Sequence, residues 1–146
     1  MMLKRKGCIG MTFEELETLA ENGDTNAQFR IGKCYEFGKA GIARSFEKAI
    51  EWYEKAAEAG DAEVQYYLAY SYEHNRLGGF RYERAMELYE KAANQGFSKA
   101  QFQLGFHLEH GILVTKDLPA AIEWYKKADA QGNKSATLRL KIHKVI

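Results

Sequence analysis

The chain has 146 residues, of which 46% are hydrophobic and 28% charged, so it fits one domain able to bury a core, and disorder is not expected. Its 21 basic and 20 acidic residues leave a net charge of +1, a balance that gives no field strong enough to gather nucleic acid or an anionic membrane surface. Two cysteines, Cys8 and Cys34, do not make a disulfide framework and suit a reducing compartment.

Residues 1–11 read as a flexible lead-in. Lys4-Arg5-Lys6 resembles the basic start of a signal peptide, but the apolar stretch behind it runs only from Cys8 to Met11 and is broken by Gly10. A signal core needs roughly 7–15 apolar residues and a membrane span roughly 18. No membrane insertion is expected. The protein reads as cytoplasmic, with signal-independent secretion left open. Thr12 with Glu15 then forms a capping box that opens a helix over about 12–22.

From Asp24 onward the sequence repeats. Gly60, Gly96 and Gly132 are 36 residues apart, and Gly23 lies 37 before Gly60. Before these glycines stand similar blocks: Ala49-Ile50-Glu51-Trp52-Tyr53-Glu54-Lys55-Ala56-Ala57, then Ala85 to Ala93, then Ala121 to Asp129. After them stand Ala27-Gln28-Phe29-Arg30-Ile31-Gly32, then Val64 to Ala69, then Ala100 to Gly105. Both blocks show helical spacing, with core positions at Gln28, Ile31, Gly32 and Tyr35 in one and Ala49, Trp52, Tyr53 and Ala56 in the other. Gly32, Ala69 and Gly105 mark places where two helices approach closely. The four spacing glycines fit the left-handed residue that ends a helix. Asp24, Asp61 and Ser98 are expected to cap the next helices. Glu51/Lys55, Glu87/Lys91 and Glu123/Lys127 predict i, i+4 ion pairs on the solvent side.

The predicted layout is all-α. A half-repeat at 12–23 precedes repeats at 24–60, 61–96 and 97–132, and a capping helix follows at 133–146. One helix pair cannot bury its own apolar face, so stacked pairs forming an α-solenoid are required. The last helix places Lys141 and Lys144 where Gly32 and Tyr35 face a following helix, which suits an end.

These blocks resemble the Sel1-like repeat family, a branch of the tetratricopeptide superfamily. The resemblance rests on Ala27-Gln28, Ile31-Gly32, Tyr35, Gly38, Ala49, Trp52-Tyr53, Lys55-Ala56-Ala57 and Gly60. Repeat two departs from it with Leu88 for the tryptophan and Asn75 for the loop glycine, and repeat three with Leu108 for the tyrosine. The resemblance implies a right-handed superhelix whose first helices line the concave side, and an adaptor role in holding other proteins.

On that face the repeats set residues in ladders: Lys33, Tyr70, Phe106, Ile142; Phe29, Tyr66, Phe102, Leu138; and Phe37, His74, His110. The first turns apolar toward the C-terminus, at positions the core does not demand. Exposed aromatic and aliphatic patches mark partner sites. A protein or peptide partner is expected to lie in this groove on Lys33, Phe37, Tyr66, Tyr70, His74, Phe102, Phe106, His110, Leu138 and Ile142. A fourth ladder, Glu36, Glu73 and Glu109, reads as a solvated face or a clasp for a basic segment. A homodimer through the apolar C-terminal ladder is a further reading.

No cofactor is expected. His107 and His110 share a helix face with His74 one repeat away, but metal binding needs three or four convergent ligands, so no metal site is expected. His143 reads as isolated. Ser45-Phe46-Glu47-Lys48 matches the S-x-x-K of penicillin-binding serine enzymes, a chemistry with which some relatives in this repeat family have been linked. No S-D-N or K-T-G element accompanies it, and Ser45 aligns with Asp117 as a helix cap. The alternative of a β-lactamase-like hydrolase using Ser45 therefore ranks below a non-enzymatic binding module.

Overall fold

The structure is a computed structural model that describes residues 10–146. The expected lead-in at 1–11, with Lys4-Arg5-Lys6 and Cys8, therefore lies almost wholly outside the described residues. Eight helices follow: α1 (Phe13–Glu21), α2 (Thr25–Phe37), α3 (Phe46–Glu58), α4 (Ala62–Glu73), α5 (Tyr82–Asn94), α6 (Ser98–His110), α7 (Leu118–Asp129) and α8 (Lys134–Ile142). Each packs chiefly on its neighbours in the chain, as a solenoid requires. The first helices of the pairs are α2, α4 and α6; α8 stands in the same register.

Local chemistry sets the helix starts. Thr12 and Glu15 form the reciprocal capping box, and Asp24, Ser45, Asp61, Asp117 and Asn133 each accept from the amide three residues on. Ser98 does not cap α6. It is the first helical residue, and Phe97 holds the cap position without a side-chain bond. The Phe97 ring instead packs 5.4 Å from Tyr66. At the helix ends, Asn75 takes φ 54 in place of the loop glycine, a left-handed conformation that asparagine tolerates.

The close approaches are steric. A Cβ on Gly32 would lie 2.5 Å from the Tyr53 ring, and one on Gly105 would lie 2.6 Å from Tyr125. The expected Glu–Lys pairs do not form. Lys55 and Lys127 lie over the rings of Trp52 and Trp124, at 4.3 and 4.2 Å. Glu87 pairs with Arg84 at 2.9 Å and Glu123 with Lys126 at 2.8 Å. In repeats one and three the lysine lies on the tryptophan one turn back; in repeat two, where Leu88 replaces that tryptophan, Arg84 takes Glu87 instead.

A glutamine clasp joins successive pairs. Gln28, Gln65 and Gln101 donate to the carbonyls of Ala20, Ala57 and Ala93, at 3.1, 3.0 and 3.3 Å, tying each first helix to the end of the helix before it. Gln65 Oε1 then accepts from Gln95 and Gln101 Oε1 from Gln131, both at 2.8 Å. Gln28 Oε1 is buried without a partner. The residue in register with Gln95 and Gln131 is Ala59, which has no donor to offer. Ala59→Gln is expected to raise stability by about 1 kcal/mol, while Gln95→Ala lowers it by about 1–3 kcal/mol by orphaning Gln65 Oε1. Chemical denaturation of both variants checks the pair.

Candidate functional site

The glutamate ladder does not face solvent. Glu36 is buried, and the side chains of Glu73 and Glu109 are only 13% and 10% exposed. Each takes the hydroxyl of the tyrosine on the second helix of its own pair: Tyr53 to Glu36 at 2.6 Å, Tyr89 to Glu73 at 2.7 Å and Tyr125 to Glu109 at 2.5 Å. Each also takes a donor from the next first helix. Tyr67 donates to Glu36 at 2.7 Å, His107 Nε2 to Glu73 at 2.8 Å, and His143 Nε2 to Glu109 at 2.9 Å. Arg139 adds a bond to Glu109 at 3.3 Å. These carboxylates are joints between repeats, so neither a solvated face nor a clasp for a basic segment describes them. His143 is accordingly not isolated.

The electrostatics follow from that packing. Burial alone would raise the Glu73 carboxyl, but the bonds from His107 and Tyr89 outweigh it and hold the group below its ordinary 4.5. Burial likewise opposes the bonds from Tyr125 and His143 at Glu109, and the net shift is again downward. The tyrosines move the other way. Burial first, then the bond to Glu36, pushes Tyr67 up to about 12. Tyr53, Tyr89 and Tyr125 are pushed well above their ordinary range by burial and by the glutamates they donate to.

With the glutamates turned inward, the outer face of the first helices belongs to the other ladders. Tyr66 and Phe102 are half-buried, packing 5.9 Å from Tyr89 and 5.7 Å from Tyr125, so they also serve the core. Tyr70 and Phe106 are half-buried too. Each carries a histidine from the next turn against its ring, His74 at 4.0 Å and His110 at 4.3 Å. Both histidines are fixed through Nδ1 to the carbonyl one turn back, at 2.9 Å. Lys33 lies 4.6 Å over Phe29, and Lys39 lies 5.2 Å over the exposed ring of Phe37. Leu138 and Ile142 are 59% and 56% exposed at the C-terminal end of the run. The sequence-derived residues thus differ in setting, from Lys33 over the Phe29 ring at α2 to the exposed Leu138 and Ile142 at α8.

The sequence of the Sel1 repeat matches this chain three times, over residues 25–61, 62–97 and 98–133. The chain belongs to the Sel1 repeat family. A Sel1 repeat protein from Oxalobacter formigenes is similar in structure, with a TM-score of 0.78 and 38% identity over 88% of this chain and 96% of that one. So is c5321, a protective antigen of uropathogenic Escherichia coli with an SLR fold, at a TM-score of 0.80 and 30% identity; the match covers 87% of this chain and 27% of that one. A component of an ERAD-associated E3 ubiquitin-protein ligase from Arabidopsis thaliana, HRD3A, is 38% identical over 58 residues, which is 40% of this chain and 9% of its own length. This chain therefore spans a minor part of the last two relatives. Sel1 repeat proteins generally mediate protein–protein interaction, on a fold that is not itself catalytic.

Within this Sel1 repeat chain, Ser45 works as a cap. Its hydroxyl accepts from the Lys48 amide at 3.3 Å, and the Lys48 ammonium lies 5.3 Å over the Tyr35 ring. Both residues border a shallow depression of about 440 Å³. His107 is fully buried and committed to Glu73, while His110 is exposed, so the two histidines do not converge on one site. Among the described residues no group of three or more histidine, cysteine or acidic side chains is arranged to hold a metal ion, and no helix is long and apolar enough to cross a membrane.

Two outcomes follow from the joints. Carboxyls held below their ordinary value stabilise the fold fully above that value, and the contribution is lost as pH falls from there through their lowered values. Stability is therefore expected to hold above about pH 5 and to drop below about 4.5. The raised tyrosines set the opposite limit: their contribution is complete below their ordinary 10.0 and is lost as pH climbs beyond it. Thermal melts across pH measure both arms, and Glu73→Gln should flatten the acid arm. Ser45→Ala is expected to cost about 1 kcal/mol as a lost cap, and a labelled β-lactam is expected to leave Ser45 unmodified under mass spectrometry.

Proposed function

We propose that this protein is an adaptor that holds a protein or peptide partner along the outward face of α2, α4, α6 and α8. The observation that carries this is the run of Tyr70, Phe106, Ile142 and Leu138. Tyr70 still packs against the core, but Leu138 and Ile142 at the C-terminal end are more than half exposed. Isolated exposed apolar residues are ordinary on protein surfaces, but a contiguous run in register marks a contact surface. The residues that contribute are Lys33, Phe37, Tyr66, Tyr70, His74, Phe102, Phe106, His110, Leu138 and Ile142.

Rigid packing beneath the face supports this reading. The histidines stacked on Tyr70 and Phe106 are tied to backbone carbonyls, so the rings are presented in a fixed geometry and a partner loses little entropy to ordering them. HRD3A, a relative over part of its length, is described as a component of a larger assembly, in keeping with a scaffold role.

A second reading, a homodimer, is favoured by one observation. Leu138 and Ile142 sit on α8 with exposures of 59% and 56%, apolar surface that a second copy would cover. Light scattering separates the readings, because a monomer at high concentration is expected if the face is reserved for another protein.

The test of the main reading is capture of a partner by the intact protein, compared with Tyr70→Ser/Phe106→Ser. Both side chains are half-buried, so the variant is first checked for a retained circular dichroism spectrum. Its affinity for the captured partner should fall by roughly tenfold or more, the range expected when central aromatic anchors are truncated. A folded variant that binds as tightly as the parent would place the site elsewhere.

A further inference from the structure

The near-zero net charge of the chain conceals a segregation. The first helices α2, α4, α6 and α8 carry four carboxylates, Glu36, Glu63, Glu73 and Glu109. Three of them are turned inward and saturated by tyrosine, histidine or arginine donors. Glu63 alone is left on the exposed surface of these helices. The same helices carry six cations, Arg30, Lys33, Lys99, Lys134, Arg139 and Lys141. The second helices α3, α5 and α7 have the opposite balance, nine acids against six bases. Folding thus hides the negative charge of one face and leaves its positive charge outside.

Two of these cations lie on aromatic rings, and Lys99 is exposed on α6 seven residues before Phe106, on the same stripe of that helix. Lys33 lies 4.6 Å over Phe29 and 5.2 Å over Tyr67, and Arg139 lies 5.2 Å over Phe106. Lys33 and Lys99 form no ion pair with a described residue, so their charge is not neutralised within the described fold. Arg139 is partly neutralised by Glu109 beneath it. A cation lying flat on a ring leaves its remaining donors free for an incoming carboxylate while its stem extends the apolar surface.

We propose that the partner segment is acidic: a chain bearing aspartate or glutamate between aliphatic or aromatic anchors, its apolar residues on Tyr70, Phe106 and Ile142 and its carboxylates on Lys33 and Lys99. This rests on the adaptor reading above and adds the chemistry of the partner. A basic segment is disfavoured, because the glutamates that would have received it are consumed inside the repeat joints. A symmetric dimer through α8 is disfavoured by the same charge count, since it would bring Lys134, Arg139 and Lys141 of two copies together.

Fluorescence polarisation of the intact protein with two labelled peptides tests this. Both carry the same leucine and phenylalanine anchors; one has glutamate between them and the other lysine. The acidic peptide is expected to bind at least about tenfold tighter at low salt, with the gap closing as ionic strength screens surface charge. Lys33→Glu/Lys99→Glu, both on the helix surface, is expected to erase or invert the preference without altering the circular dichroism spectrum. Equal binding of the two peptides, preference for the lysine peptide, binding of neither, or a preference that survives the charge reversal would each overturn the proposal. So would a single-stranded oligonucleotide that binds as well as the acidic peptide. If a partner captured by the parent is lost by Tyr70→Ser/Phe106→Ser but kept by Lys33→Glu/Lys99→Glu, the face binds and only the acidic chemistry is wrong.

Discussion

A carboxylate buried at the joint between repeats organises this molecule. Glu73 receives Tyr89 from its own pair and His107 from the next, at 2.7 and 2.8 Å, so one side chain measures the position of two helices. A buried carboxylate is costly unless its lone pairs are occupied. Three joints of this kind, at Glu36, Glu73 and Glu109, therefore penalise any stacking that misplaces a neighbour. Hydrophobic contact between alanine-rich helices is less demanding: it rewards burial without fixing register. The carboxylates and the glutamine clasps supply the register.

The same choice shapes the outer surface. Glutamates drawn inward toward tyrosine hydroxyls no longer offset the lysines and arginines of the first helices. The exposed strip is then aromatic, aliphatic and basic, whereas the second helices keep a mixed and mildly acidic surface. The bonds that stabilise the joints thus also set the charge of the exposed strip. The departure at Ala59, which leaves Gln28 Oε1 unpartnered, lies at the N-terminal end of the array, where the joint also lacks the histidine present at Glu73 and Glu109.

Much of the fold was legible because its signals are local or periodic. Thr12 with Glu15 and the caps Asp24, Ser45, Asp61 and Asp117 could be read directly, and the glycine spacing gave the repeat. The role of the glutamate ladder is not legible locally, because a glutamate beside core positions on a helix is ordinarily solvated. The signal lay in a longer relation: Glu36 and Tyr53, Glu73 and Tyr89, and Glu109 and Tyr125 recur together, and a buried tyrosine hydroxyl needs an acceptor. His143 looks isolated in the sequence, although it stands in register with His107. The Glu–Lys pairs fail for another reason: i, i+4 spacing brings charges within reach but does not stop Lys55 and Lys127 from lying on a tryptophan ring, or Arg84 from taking Glu87. On the outer face of the first helices the ladders are legible in the sequence, but not which charges stay exposed after folding, which is decided by tertiary bonding.

The central claim is that the carboxylate couples the two helices it touches. A double-mutant cycle measures it most directly, using Glu73→Gln, Tyr89→Phe and the pair together in chemical denaturation. Coupled partners should give a double variant less destabilised than the sum of the singles by about 1 kcal/mol or more, whereas independent sites add to within about 0.5 kcal/mol. Simple additivity would contradict the account, and the carboxylate would then be a passive occupant of the joint rather than what sets it.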